Sequence, residues 1–395
     1  MNELAEYYKS RIGEYWFENG YLDKKIASIP KGKSFIFLAD PHRREGIGNL
    51  MRSSDIIGYI RAVSDVKKVI IGGDFLGRER FTHHAVFELE DNMRSFLDVV
   101  GEDLLVVMGN HDLNTANVPV ELYKEHILPF REVERILMSH MDRVCEDVSQ
   151  KIAYLGLKGD EREELLSASR LHFYIDDNDQ KLRYIMLDTG VPPIGNCVAD
   201  NFGVSYYNEL ILQYDWLYDT LMSTPKDYDV VVSAHHFIYH EKNDVFPVVS
   251  ELCKMLSAFR AKGKVVVNNL KSDNEQLTKY YAAGEHEYDF SACRASGKLA
   301  VLTADVHWDV QRYLYFDENG RYVSKPYEGE VLSDTGIVVN VTQSDAFGCT
   351  YYEQCYKMTA DTNTEQCFDI VTICDDGNVR LTRIGAGIDR FVKVK

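Results

Sequence analysis

The eight cysteines (Cys145, Cys197, Cys253, Cys293, Cys349, Cys355, Cys367 and Cys374) include no CxxC pair. Nothing in their spacing points to a thiolate zinc site. A chain of 395 residues buries a core without covalent staples, so they read as reduced thiols. No run of about 18 apolar residues occurs, which excludes a transmembrane helix. The opening segment, MNELAEYYKSRIGEYWFENG, is polar and acidic. It has no apolar stretch of the kind a secretory signal needs, and the expected location is cytoplasmic. Basic residues are the scarcer sign: 44 Lys+Arg stand against 62 Asp+Glu, a net charge of −18. Such a surface repels long duplex nucleic acid and anionic lipid, although a local basic pocket is compatible with it. Repeats, low-complexity tracts and interdomain linkers are also missing. A hydrophobic fraction of 45% with 27% charged residues excludes disorder of the whole chain.

What is present is a recurring unit. A short Val/Ile/Leu run ends in a cluster of Asp, Asn or His five times: SFIFLAD-PH (34–42), KVIIGGD (68–74), LLVVMGNHD (104–112), DVVVSAHH (229–236) and LAVLTADVH (299–307). Runs of this length without polar alternation predict buried strands. Residues 50–64, with Leu50, Ile56, Ile57, Ile60 and Val63, and residues 84–100 and 207–223 are amphipathic, which predicts helices between the strands. Alternation of the two predicts an α/β sheet. In open α/β sheets ligands bind beyond the carboxyl ends of the strands, and all five polar clusters fall there. Residues 113–170 are charged and read as a helical insertion, either a cap near the site or a peripheral bundle. Asn319-Gly320 and Asp376-Gly377 each sit between strand-like segments and predict hairpins.

Chemistry follows from residue type. Asp40 and His42, two positions apart beyond a strand end, suit a divalent first-row metal. Asp74 follows Gly72-Gly73, where the backbone can approach closely, and its two oxygens can bridge two ions. Asn110 offers a neutral oxygen, followed at once by His111 and Asp112. His235 and His236 end a fourth run, and Asp305 and His307 repeat the i, i+2 spacing at the fifth.

The ordered set Asp40-Pro41-His42, Gly73-Asp74, Gly109-Asn110-His111-Asp112, His235 and Ala304-Asp305-Val306-His307 resembles the calcineurin-like metallophosphoesterases, whose pattern is DxH, GD, GNH(D/E), a lone His and GHxH. The resemblance spans roughly residues 33–310. It implies a four-layer αββα sandwich of two mixed sheets flanked by helices, and two divalent metal ions. The chain is expected to divide into an N-terminal helical extension (1–32), a metallophosphoesterase domain (33–345) with the insertion at about 113–170, and a C-terminal β extension (346–395) packing on the second sheet, although the resemblance itself says little about the extension, the insertion or the tail. It implies that Asp40, His42, Asp74 and His307 hold one ion, Asp74 bridges, and Asn110, His235 and Asp305 hold the other. A metal-bridging hydroxide would attack phosphorus in line. His111 would serve the leaving oxygen, and Asp112 would hydrogen-bond His111 and fix its tautomer. Residue 305 departs from the pattern: the first His of GHxH is an aspartate here. Three ligand carboxylates then favour an oxygen-loving ion such as Mn²⁺, with iron or Zn²⁺ as alternatives, and a diester over a dianionic monoester. Contact of Asp305 through water alone is the other reading of this position.

Around this set, Arg43, Arg44 and Arg78 are candidate phosphate contacts, as is His236, which otherwise supports or packs beside the ligands. His83 and His84 read as helix-start residues, and the tyrosine pairs Tyr206-Tyr207, Tyr280-Tyr281 and Tyr351-Tyr352 as packing. The expected activity is metal-dependent hydrolysis of a small phosphodiester or phosphomonoester. The alternatives are a nuclease or a phosphoprotein phosphatase of the same fold, and a non-catalytic component that keeps the fold.

Overall fold

The structure is a computed structural model, and it describes residues 3–42, 50–77, 81–114, 126–189, 205–241, 244–247, 250–269, 284–346 and 353–394. The five apolar runs form strands β1 (Gly32–Leu38), β2 (Val69–Ile71), β3 (Leu104–Val106), β7 (Asp229–Ala234) and β12 (Leu299–Thr303). Helices α1 (Glu3–Arg11) and α2 (Tyr21–Ala27) precede β1; α3 (Leu50–Val63) and α4 (Thr82–Val100) alternate with β1–β3. In α4 the buried Ala85, Leu89, Met93, Phe96 and Val100 recur every three to four residues, so one stripe meets the sheet. Each large apolar side chain in that stripe contributes about 1.5–3 kcal/mol on burial. Gly101, at φ 63°, ends the helix in a conformation that costs a residue with a Cβ.

Two sheets carry the molecule. The first has six strands in the order β18-β17-β16-β1-β2-β3, where β16 is Cys367–Cys374, β17 Val379–Gly385 and β18 Arg390–Val392. The second has eight, in the order β14-β13-β15-β12-β7-β6-β5-β4, with β4 Val144–Cys145, β5 Phe173–Asp177, β6 Leu182–Leu187, β13 Val310–Phe316, β14 Tyr322–Pro326 and β15 Ile337–Val341. β1, β2 and β3 run parallel, as do β6, β7, β12 and β15; the outer strands are antiparallel, so both sheets are mixed. Alternation along the strands assigns the layers. Tyr184 and Met186 of β6, Val231 of β7 and Leu302 of β12 share one core with β1 and with α3 and α4. Their neighbours Ile185, Val232 and Val301 share a second core with α8 (Ser205–Met222) and α9 (Ser250–Ala261). The layers are therefore helix, sheet, sheet, helix, the αββα sandwich expected from the sequence.

Several elements differ from expectation. The C-terminal strands β16–β18 join the first sheet, against β1, and not the second. The reason is burial: every residue of β16 but the last is buried, so it needs a partner on each edge. Its Asp369 sits opposite Arg383 in register, bonds it at 2.9 Å and is also bonded by Arg390. A carboxylate in a central strand stands only with such partners. The insertion is helical at α5 (Phe130–Met138), α6 (Ser149–Leu155) and α7 (Gly159–Ala168), but its β4 edges the second sheet. A separate two-stranded ribbon pairs β10 (Lys264–Asn269) with β11 (Gly284–Asp289). A further hairpin joins β8 (Ile238–Glu241) to β9 (Asp244–Pro247). The hairpins around Asn319 and Asp376 form as predicted.

The two sheets meet at one point that matters for chemistry. An isolated parallel bridge joins Ala39, just past β1, to Ser344, just past β15. The Ser344 hydroxyl donates to the Asp40 carbonyl at 2.8 Å. The carboxyl ends of β1, β2 and β3 thereby face those of β7 and β12.

Candidate metal centre

Every candidate metal ligand follows a parallel strand by one to four positions. Among the described residues, eleven non-glycine residues have positive φ, and five of them are Asp40 (43°), His42 (30°), Asp74 (60°), Asp305 (68°) and His307 (69°). This conformation costs about 1–3 kcal/mol per residue and persists where the surroundings over-determine it. Here it turns side chains from two sheets toward one point. Glycines clear the ground between them. A Cβ on Gly73 would stand 2.6 Å from the Gly109 nitrogen, and one on Gly109 would stand 2.1 Å from Asp74 Oδ1.

Asp40, His42, Asp74 and His307 each present a ligand atom, all within 4.8 Å of one another, and His235, His236 and Asp305 form a second such group. In the first, His42 Nε2 lies 3.1 Å from His307 Nε2 and 3.5 Å from Asp74 Oδ2. In the second, His236 Nε2 lies 3.2 Å and His235 Nε2 3.8 Å from Asp305 Oδ1. Asp74 stands between them: its Oδ2 is also 3.3 Å from His235 Nε2. Asn110 Oδ1 lies 2.9 Å from the same nitrogen. The backbone N–H of Asp305 donates to both oxygens of Asp40, at 3.1 and 3.0 Å.

Electrostatics make this a place that draws cations. Asp40, His42, Asp74 and His235 are at most 2% exposed. Among the described residues, every ion pair of Asp40, Asp74 and Asp305 is with an imidazole. Burial depresses His42 to a pKa of about 3 and His307 to about 4, so both rings are neutral donors at neutral pH. Burial also works against charge on His235, but Asp74, Asp40 and Asp305 outweigh it and hold that ring well above its ordinary pKa. Burial pushes Asp40 well up, assisted by Asp74 and Asp305. For Asp74 burial acts upward too, but His235 and His111 override it and hold the carboxyl well below the ordinary value. Burial of Asp305 is likewise overridden, by His236 and then His235, down to about 2. Three carboxylates in a dry site require positive charge beside them. Oxygen and imidazole donors in two linked groups are what divalent first-row ions bind.

The tautomers agree with that role. His42 donates Nδ1–H to the Leu76 carbonyl at 2.8 Å, and His235 donates Nδ1–H to the Gly72 carbonyl at 2.6 Å. Each ring then turns Nε2 to the centre, the arrangement in which a backbone carbonyl orients a metal-binding histidine.

The structure assigns Asp112 a different place from the one expected. Its carboxylate does not meet the ring of His111; it accepts the backbone N–H groups of Phe75 (2.7 Å), Gly109 (2.8 Å) and Asp74 (3.0 Å). A short side chain three residues past Gly109 reaches back to that nitrogen, and the neighbouring turn supplies the rest. Asp112 therefore staples the β2 and β3 turns together. Burial, then the nearby Asp74, raises its pKa to about 7. His111 donates its own backbone N–H to Asp74 Oδ1 at 2.9 Å, and its ring is 17% exposed and 3.9 Å from Asp74 Oδ2. Arg43, Arg44, Arg78 and the tyrosine pairs at 280 and 351 lie outside the described residues. His83 and His84 do start a helix. Sequence reasoning missed Thr189, whose hydroxyl accepts the His236 backbone N–H at 2.9 Å and whose carbonyl receives its ring at 3.0 Å. A threonine at a strand end carries no signal of that kind.

Residues 33–256, more than half of the chain, match the family model described as calcineurin-like phosphoesterase. Among curated proteins nothing matches. Among solved structures the chain is similar to a dimetal phosphatase from Danio rerio, with 11% identity and a TM-score of 0.42 over 92% of this chain and 99% of that one. It is also similar to the purple acid phosphatase PPD1 from yellow lupin (Lupinus luteus) seeds, with 10% identity and a TM-score of 0.45 over 93% of this chain and 55% of that one.

Proposed function

Because the chain belongs to the calcineurin-like phosphoesterase family, we propose that it hydrolyses a small phosphodiester at a two-metal centre built from the seven residues Asp40, His42, Asp74, Asn110, His235, Asp305 and His307. Metal-dependent phosphoester hydrolysis is the activity of the family; the ester class, the metal and the residue roles are this reading's own. Asp40, His42, Asp74 and His307 would hold one ion, and His235, Asn110 and Asp305 the other, with Asp74 shared. The observation that carries it is the convergence of two donor groups on the two sides of the buried Asp74.

When bound, two divalent ions supply Lewis acidity, polarising the phosphoryl group and acidifying a water nucleophile. The chain's own residues do the rest. Asp112 fixes the spacing of the β2 and β3 turns. The rings of His42 and His235 are locked by carbonyls. His111, whose ring is 17% exposed, is the group positioned to give a proton to the leaving oxygen or to stabilise its charge. With Asp305 in place of a histidine, three carboxylates would offset more of the charge that two divalent ions bring. That lowers the pull on a dianion and supports a diester, and the added hard oxygen supports Mn²⁺. The surface charge of −18 weighs against a nuclease of long duplexes. A cytoplasmic setting fits the described cysteines, which are free thiols.

The test is metal-stripped protein reloaded with Mn²⁺, Fe²⁺ or Zn²⁺ and assayed on chromogenic diester and monoester. Turnover greatest on the diester with Mn²⁺, and loss of both metal and turnover in Asp74→Asn, is expected. Two bound equivalents with no turnover on either ester would leave a non-catalytic binding component instead.

A further inference from the structure

His236 carries the same orienting signature as His42 and His235. All three rings point Nδ1 at a main-chain carbonyl: Leu76 for His42 at 2.8 Å, Gly72 for His235 at 2.6 Å and Thr189 for His236 at 3.0 Å. A carbonyl only accepts, so the proton is on Nδ1 and the lone pair of a neutral ring is on Nε2. In His236 that nitrogen lies 3.2 Å from Asp305 Oδ1. With His235, these two side chains form one donor group whose ligand atoms all lie within 4.8 Å of one another, close enough to share a single ion. His236 is also pinned at its backbone, where its N–H donates to the Thr189 hydroxyl, and it is 3% exposed. The ring is therefore fixed in the orientation that brings Nε2 to Asp305. A solvent-facing phosphate contact would need neither restraint.

The neighbouring departure at 305 gives this a reason. Where the family pattern has an imidazole, this chain has Asp305, whose backbone N–H is committed to Asp40 and whose carboxylate faces His235 and His236 together. The chain loses a ring nitrogen at 305 and presents another from 236. We propose that His236 Nε2 is a direct ligand of the second ion, completing with Asp305 and His235 a site in which the carboxylate replaces the usual histidine and the adjacent residue restores the nitrogen. The inference rests on the two-metal reading above and deepens it. It moves His236 from a substrate contact to a metal ligand.

The experiment is Mn²⁺ titration of the metal-free protein, counting free ion by electron paramagnetic resonance, together with a zinc-soaked crystal structure. Two sites are expected in the wild type. In His236→Ala the second should weaken by about 100-fold while the first is retained, since losing even an outer hydrogen-bonding partner costs 10–100-fold. A supporting role alone would also weaken binding, so the bond is read directly: a zinc to His236 Nε2 distance of about 2.1 Å is expected. The crystal measurement needs no variant and decides the matter if His236→Ala does not fold. Two sites of unchanged affinity in His236→Ala, or a zinc ion bound by His235 and Asp305 but standing clear of His236, would overturn this inference and leave the two-metal reading intact. A wild type that binds no second ion would overturn both.

Discussion

His111 and Asp112 are adjacent in sequence and opposite in consequence. His111 ring atoms reach the open side of the site and its backbone, not its ring, bonds Asp74. His111→Ala should therefore lower kcat by about 100- to 10,000-fold, the usual worth of a positioned proton donor, with metal content unchanged by elemental analysis. An emptied site would show the ring to be a ligand. Asp112 sits at the other extreme, fully buried with its carboxylate taken by backbone N–H groups from two turns. Asp112→Ala should cost about 3–5 kcal/mol of stability, because removing it orphans several buried donors at once. Denaturant unfolding measures this, and a loss under 1 kcal/mol would mean that water replaces the carboxylate. The motif containing both residues was legible in the sequence, but their division of labour was not. A GNHD string records which atoms are present, not which backbone donors fold back on them.

At the scale of elements, the turns after β2 and β3 are held apart by hydrogen alone. A Cβ on Gly109 would lie 2.1 Å from Asp74 Oδ1 and 2.3 Å from the Asp74 nitrogen; the nitrogen is backbone, and the carboxylate oxygen is held by the His111 backbone N–H. Gly109→Ala should displace Asp74 and reduce both metal stoichiometry and turnover, while the secondary structure seen by circular dichroism persists. Retention of two metal equivalents would show that the turn yields. The elements themselves were largely readable. The five buried runs, the amphipathic helices around 50–63, 82–100 and 205–222, and the hairpins at Asn319 and Asp376 all depend on local pattern. What did not read out was pairing at a distance. β16 comes from the far end of the chain and pairs antiparallel with β1 in the register Gly32↔Cys374 to Phe37↔Asp369. Nothing in the string CFDIVTIC names its partner. The clue was Asp369: a carboxylate inside an otherwise apolar strand calls for buried cations, and Arg383 and Arg390 follow in the next two strands.

For the whole molecule, metal and proton compete for one pocket, and this fixes how stability should vary with pH. Without metal, His235 is held well above its ordinary pKa of 6.5 by Asp74, Asp40 and Asp305, and Asp112 is raised to about 7 by burial and Asp74. Each group binds its proton more tightly folded than unfolded. Their contribution is therefore present at lower pH and fades as pH rises through the folded values. His42 and His307, lowered to about 3 and about 4, act in the opposite direction, but only below 6.5, where the unfolded rings gain protons first. Chelated protein should thus lose stability as pH rises above about 7. Metal-loaded protein is spared the alkaline loss, because divalent ions supply the positive charge that the protons otherwise bring. At about 1,000 times Kd, a single bound ion stabilises by about 4 kcal/mol. Since proton displacement accompanies binding, that gain should grow with pH. Differential scanning calorimetry with Mn²⁺ and with chelator, from pH 6 to 9, should show the two melting temperatures diverging. Parallel curves would mean that the buried carboxylates and imidazoles are satisfied by one another, and that the pocket has no need of a cation.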